Sequence, residues 1–263
     1  MNSHLLAHMT WQEYQSKVNS SVLILPVGST EQHGPHLPLG VDAILAEKMS
    51  LAIAERIDAV VAPTVSYGYK SLPASGGGPL FPGTVDLKGA TLTSLVYDLL
   101  EEFLHDGWKR ILMISCHYEN EAFLSEAADL LMRNRTAEFP KILLSNWWDN
   151  LSAEVMPQVF NEVPFPGWAL EHAAIAETSM MMHVAPELVR EELIVDEGID
   201  NPPSYQSFPP SSSLIPSSGC LHTARSSSAA KGRLIVENAA DNIVAFLEKE
   251  FLVKKRLPNN VTI

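Results

Sequence analysis

The chain has 263 residues, 46% apolar and 19% charged, which suits one large α/β domain and excludes disordered, collagenous and coiled-coil classes. Eighteen Lys and Arg against 31 Asp and Glu give a net charge of −13, a field that repels phosphate backbones and anionic membranes and argues against a nucleic acid or membrane partner. Two cysteines, Cys116 and Cys220, make neither a disulfide framework nor a cysteine-rich zinc motif. With no secretory leader pattern in the opening residues and no apolar run of about 18 residues, the expectation is a cytoplasmic protein.

Short apolar runs alternate with amphipathic ones. Ser21 to Val27 reads as a buried strand running into a loop at Gly28-Ser29-Thr30. Asp42 to Ile57 has helical spacing, and Ala59 to Val65 reads as a second strand. From Ser66 to Gly89 the chain is rich in Gly, Pro and Ser, the mark of a long functional loop. A helix over Leu92 to Leu104, closed by Gly107, precedes the strand Arg110 to Ser115. A helix over Glu121 to Arg133, a strand over Lys141 to Ser145 and a helix over Glu171 to His183 continue the alternation. Asn201 to Gly219 is expected to be irregular, and Gly232 to Phe251 makes a final helix. Strands alternating with helices predict a mostly parallel sheet covered on both faces, in a single α/β domain spanning residues 1–263.

Ligands of open parallel sheets sit beyond the carboxyl ends of the strands, and two such ends carry polar clusters. Glu31 to Asp42 follows the first strand, with His33 and His36 inside it; His117-Tyr118-Glu119-Asn120 follows the strand ending at Ser115. In an extended segment residues two apart share a face, so Glu31 with His33, and His117 with Glu119, pair a carboxylate with an imidazole. Such sets without thiolate favour zinc, manganese or similar divalent ions, and Asp42 at a helix start is placed to bridge two of them. His36 is as well explained by packing as by ligation. His4, His8, His105 and His222 are expected to be solvated. No nucleophile elbow, Walker loop or dinucleotide fingerprint is present, and Cys116, aimed away from His117 by strand alternation, reads as a core residue. Downstream, Trp147-Trp148-Asp149 and Gly167-Trp168 supply either the wall of a pocket or core aromatics. His172 suits a proton shuttle, with Glu177 its orienting partner or a buried helix charge.

Leu25-Pro26-Val27-Gly28, Glu31-Gln32-His33-Gly34, Asp42, Tyr67 to Ser71, Ser75-Gly76-Gly77-Gly78, Phe81-Pro82-Gly83-Thr84, His117-Tyr118-Glu119-Asn120, Trp148-Asp149, Gly167-Trp168, Glu171-His172 and Glu177-Thr178-Ser179 together resemble the creatininase family. The resemblance runs from about Thr10 to Phe251. It implies a three-layer α/β/α sandwich, commonly a homohexamer, and a binuclear metal-dependent amidohydrolase that opens the cyclic amide of creatinine to creatine. It also implies two divalent ions, Zn2+, Mn2+ or both, with Glu31 and His117 on one, His33 and Glu119 on the other, and Asp42 between them. By the same resemblance Ser75, Tyr118, Trp168 and His172 contact substrate, Trp148 closes over it, and His172, Glu177 and Glu119 serve the chemistry. Ala169 stands where the family pattern carries an Asp near the substrate nitrogens, so another small cyclic amide or a formamide is the alternative substrate. A non-catalytic metal-binding assembly protein is the rival from another class.

Overall fold

The computed structural model describes residues 4–133, 140–199, 202 and 204–256. Four strands, β1 (Val22–Val27), β2 (Ala59–Val61), β3 (Arg110–Ser115) and β4 (Lys141–Asn146), form a sheet in the order β2-β1-β3-β4. Every pairing is parallel, with Ile24 opposite Val61 on one side and Leu112 on the other, and Met113 opposite Leu144. The all-apolar run of β1 follows from this position, since a central parallel strand is covered on both faces.

Eight α-helical segments accompany the sheet among the described residues: α1 (Trp11–Lys17), α2 (Val41–Arg56), α3 (Pro73–Gly76), α4 (Gly89–His105), α5 (Glu121–Arg133), α6 (Met156–Val159), α7 (Ile175–Val184) and α8 (Ala229–Phe251). Strand alternation sorts the core into two clusters. Val22 and Ile24 of β1 and Leu112 and Ile114 of β3 pack with α2, α7 and α8, whereas Leu23, Leu25, Ile111 and Met113 face α4 and α5. These are the three layers expected. No helix among the described residues is long and apolar enough to cross a membrane.

Several boundaries differ from expectation for local reasons. The second strand stops at Val61 because Pro63 has no N–H to offer a ladder; only Val65 rejoins, in a single bridge to Val27. The helix expected from Glu171 starts at Ile175, and Ala173 just before it is held at φ 54°, outside the helical region. The last helix begins at Ala229, where the Ser228 side chain accepts the Lys231 N–H. Helix α1, absent from the expected elements, opens on a reciprocal Thr10–Glu13 capping box. Residues 201 and 203 of the expected irregular segment lie outside the described residues, and the remainder is irregular apart from a short 3-10 turn at Ser212–Leu214.

The order 2-1-3-4 reverses direction between β1 and β3, so the loops leaving these two strands diverge and open a crevice at their carboxyl ends. Both polar clusters leave from those ends.

Candidate active site

Glu31, His33, Asp42 and His117 are each 2% exposed or less. Asp42 lies in the first turn of α2, which closes on the end of β1; a Cβ on Gly28 would run into the backbone of Asp42 and Ala43, and only glycine permits this approach. The Asp42 carboxylate divides the cluster. Its Oδ1 is 3.1 Å from His33 Nε2 and its Oδ2 is 3.1 Å from His117 Nδ1.

The other nitrogen of each ring fixes the tautomer. His33 Nδ1 lies 3.2 Å from the Glu31 carbonyl and His117 Nε2 lies 2.9 Å from the Tyr69 carbonyl. A carbonyl only accepts, so these nitrogens carry the protons and the inward nitrogens are left with lone pairs. His117 Nδ1 then faces Glu31 Oε1 at 2.9 Å as well as Asp42, and His33 Nε2 faces Glu177 Oε2 at 3.6 Å as well as Asp42. A lone pair against carboxylate oxygens at such distances demands a positive charge between them, either a proton or a cation. Ligand atoms about 2.0–2.2 Å from a zinc ion lie about 3.0–3.5 Å from one another, and the observed spacings match. Glu31 Oε2, His33 Nε2 and Asp42 Oδ2 are buried without a hydrogen-bond partner, as ligand atoms awaiting a cation should be. Glu31, Asp42 and His117 can hold one ion, His33, Asp42 and Glu177 a second, and Glu31, His33 and His172 form a further overlapping set.

Proton affinities report the same field. Burial opposes charge on His33, but Asp42 and Glu177 outweigh it and push the ring up to about 10. His117 is raised well above the ordinary imidazole value, against burial, by Glu31 and Glu119. Asp42 falls to about 2 despite burial because both histidines face it. Glu177 and Glu171 are pushed up to about 8, mainly by burial. His172 drops to about 3 through burial and the neighbouring His33. His172 is therefore neutral, with its Nε2–H donated to the Gln32 carbonyl at 2.7 Å and its Nδ1 3.9 Å from Glu31 Oε1.

The resemblance puts Glu119 with His33; in the structure it lies beside His117. Its Oε1 accepts from Leu72 N at 3.1 Å and from Ser75 Oγ, and its Oε2 lies 3.3 Å from His117 Nε2, on the outer side of that ring. Tyr118–Asn120 forms a 3-10 turn, so the two-residue alternation that would align Glu119 with His117 does not hold. Glu177, four residues from Ala173 whose N–H it accepts at 2.8 Å, takes the place beside His33 instead. Cys116 is buried in the core, as expected, and also borders the cleft.

The cleft is further lined by Ser75, Tyr118, Trp148, Trp168 and His172, all of the residues expected to meet substrate. Trp147 packs edge-on against Trp148 and Trp168 at centroid distances of 5.6 and 5.4 Å, and Asn146 fixes this loop through Asp149 at 2.8 Å. Ala169 lines the outer part of the cleft. Two residues that stand inside the quoted motifs without an assigned role support the site. Gln32 donates to the carbonyls of Gly76 and Gly219 at 3.0 and 2.8 Å, tying two loops together, and Asn120 accepts from Tyr69 N at 2.8 Å, setting the carbonyl that orients His117. His36 is buried outside the cluster and bonds Thr178 Oγ1 at 2.9 Å. His4, expected to be solvated, is partly buried against the Ala59 carbonyl at 3.1 Å, and His222 is also partly buried.

The Creatininase family model, described as creatinine amidohydrolase, matches residues 7–247. The creatinine amidohydrolase of Pseudomonas putida is 38% identical over 254 residues, 95% of this chain and 98% of its own length. The chain belongs to the creatininase family. Among solved structures, a manganese creatininase superposes with a TM-score of 0.92 at 38% identity, covering 95% of this chain and 99% of the other. A point-mutant creatininase complexed with creatine gives 0.91 at the same identity and coverage. The mycofactocin precursor peptide peptidase of Mycolicibacterium smegmatis is 34% identical over 66% of this chain and 62% of its own.

Proposed function

We propose that the chain is a binuclear metal-dependent amidohydrolase that opens the cyclic amide of creatinine to give creatine. The observation that carries this reading is the single Asp42 carboxylate flanked by two imidazole nitrogens, each with its lone pair turned inward. Glu31, Asp42 and His117 would hold one divalent ion and His33, Asp42 and Glu177 the other, as manganese or zinc; the manganese and Zn–Zn creatininase structures support both metals. When bound, such ions acidify water at neutral pH and polarise an amide carbonyl.

The chain's own residues do the rest. Trp148 and Trp168 flank the flat ring and exclude water, while Ser75 and Tyr118 border it at the mouth. His172 Nδ1, an acceptor in its resting tautomer, takes the proton released by the attacking water and passes it to the ring nitrogen as the C–N bond breaks. Glu119 orients His117 from outside the ring through Oε2, with Oε1 held by Leu72 N and Ser75 Oγ. The acting unit is a single domain, assembled as a cytoplasmic homohexamer; family resemblance supports the assembly, and sedimentation tests it.

The deciding assay loads the purified protein with manganese or zinc and offers creatinine beside a panel of cyclic amides and formamides. Creatine release above that of the ion-free protein is expected. Turnover of another amide with creatinine inert would favour the second reading, for which Ala169 is the supporting observation. No turnover of any amide by the loaded protein would leave a binding or assembly role.

A further inference from the structure

Two carboxyls lining the cleft, Glu119 and Glu171, belong to neither ion set nor the proton path, and Glu119 is already engaged by Leu72 N, Ser75 Oγ and His117. Glu171 is 3% exposed. Its Oε2 accepts the Ala176 N–H at 2.8 Å, capping the start of α7, and its Oε1 has no hydrogen-bond partner. The capping bond accounts for one oxygen only, and a buried carboxyl oxygen left unpaired is costly enough that native proteins seldom keep one without use. Across the same cleft Trp147 Nε1–H is also buried and unpaired. An unmatched acceptor and an unmatched donor lining one aromatic-walled cleft suit a flat ligand whose polar edge carries both kinds of group.

We propose that Glu171 Oε1 accepts the exocyclic N–H of the substrate and so selects lactams that carry an amidine edge. The inference rests on the reading of the chain as a creatinine-opening amidohydrolase and adds the residue that would recognise the nitrogen end of that substrate. Trp147 Nε1–H serves the acceptor side of the same edge. Glu171 is here a specificity residue and takes no part in ion binding or proton transfer.

Two ligands separate this role from helix capping. Creatinine presents an N–H donor at the exocyclic position, and 1-methylhydantoin is the same ring with oxygen there. E171Q keeps the shape and leaves an amide oxygen for the Ala176 N–H, which turns the amide N–H2 toward the cleft, a donor facing a donor for creatinine and a donor facing an acceptor for the hydantoin. Calorimetric binding and competitive inhibition are measured with manganese-loaded wild type and E171Q at pH 9, above the value of about 8 to which burial raises Glu171, so that Oε1 is an ionised acceptor, alongside thermal unfolding of each. The expected result is at least a tenfold loss of creatinine affinity in E171Q with 1-methylhydantoin affinity kept or improved. Equal weakening of both ligands, or no change in their ratio, in a wild-type background that opens creatinine would overturn the role of Glu171 alone. A wild type that neither binds nor opens creatinine would overturn the functional reading and this inference with it. If E171Q does not fold, E171D, which shortens the reach of Oε1, must lower creatinine affinity more than hydantoin affinity, and an unchanged ratio again refutes the role.

Discussion

Glu177→Gln tests which carboxylate completes the second ion site. Glu177 Oε2 is 3.6 Å from His33 Nε2 and is held by the Ala173 N–H at 2.8 Å. A glutamine at 177 keeps that acceptor and the side-chain volume, and removes the negative charge from a fully buried set. Taking one charged partner from such a set costs about 3–5 kcal/mol, which is about two to three and a half orders of magnitude in affinity for the ion beside His33. Glu119→Gln should act differently. It touches His117 from outside the ring at 3.3 Å, as a partner that orients a ligand, and loss of such a contact weakens binding by about 10–100-fold. Metal content after dialysis at micromolar free ion, with calorimetric titration of each site, distinguishes them. E177Q should retain one ion per chain, whereas E119Q should retain both with the site at His117 weakened. The converse pattern, E119Q holding a single ion and E177Q holding two with wild-type affinity, would refute the assignment drawn from the geometry.

Gly76→Ala places a methyl 2.6 Å from Glu31 Oε2 and against Ser71 Oγ; it should weaken the ion held with His117 selectively, read by the same titration, and unchanged affinity would show that the loop yields. Ion-free protein should lose stability as pH rises from 6.5 towards 10. His33 has a folded value near 10 against 6.5, so the folded chain holds more protons than the unfolded one across that window, and Glu171 and Glu177, raised to about 8, add to the loss in its lower part. Bound ions replace those protons, so thermal unfolding with manganese should flatten the slope that a chelator exposes, and parallel profiles would count against the ion sites. Ala169→Asp adds a carboxylate at the outer cleft; a hydrogen bond to a charged group contributes about 1.5–3 kcal/mol, so kcat/KM for creatinine should rise relative to an uncharged lactam, and a fall in that ratio would place residue 169 away from the substrate nitrogens.

Much of the frame was legible because its cause is local. Arg110 to Ser115 and Glu121 to Arg133 match their expected bounds, the first because both faces of a central strand must be apolar, the second because one stripe of a helix must be. The helix after His172 was placed too early since its apolar periodicity continues back through Ala173 and Ala174. What stops it is a pair of side-chain caps. The Glu171 and Glu177 side chains take the amides of Ala176 and Ala173, and this holds Ala173 in the left-handed region, a conformation that costs an alanine about 1–2 kcal/mol. That turn sets His172 and Glu177 on the cleft, and no periodicity announces it.

The site divides along the same line. Glu31, His33, Asp42 and His117 were visible as candidate ligands because the ends of β1 and β3 are where an open parallel sheet presents its chemistry. Spacing alone did not give their grouping, although the family resemblance implied Glu31 with His117 and Asp42 between the ions. Alternation pairs Glu31 with His33 and Glu119 with His117, but the chain turns at Tyr118–Asn120, and Glu119 meets His117 only at Nε2, the nitrogen turned away from Asp42. Glu31 crosses to His117, His33 turns to Glu177, and Asp42 stands between them with one oxygen for each. Sequence spacing therefore identifies which residues reach the crevice, whereas the backbone carbonyls of Glu31 and Tyr69, by taking one proton from each ring, decide which nitrogens remain to bind. The consequence is testable in the residues that carry those carbonyls. Asn120 fixes Tyr69, so Asn120→Ala should loosen the His117 tautomer and weaken its ion while leaving the ion beside His33 unchanged.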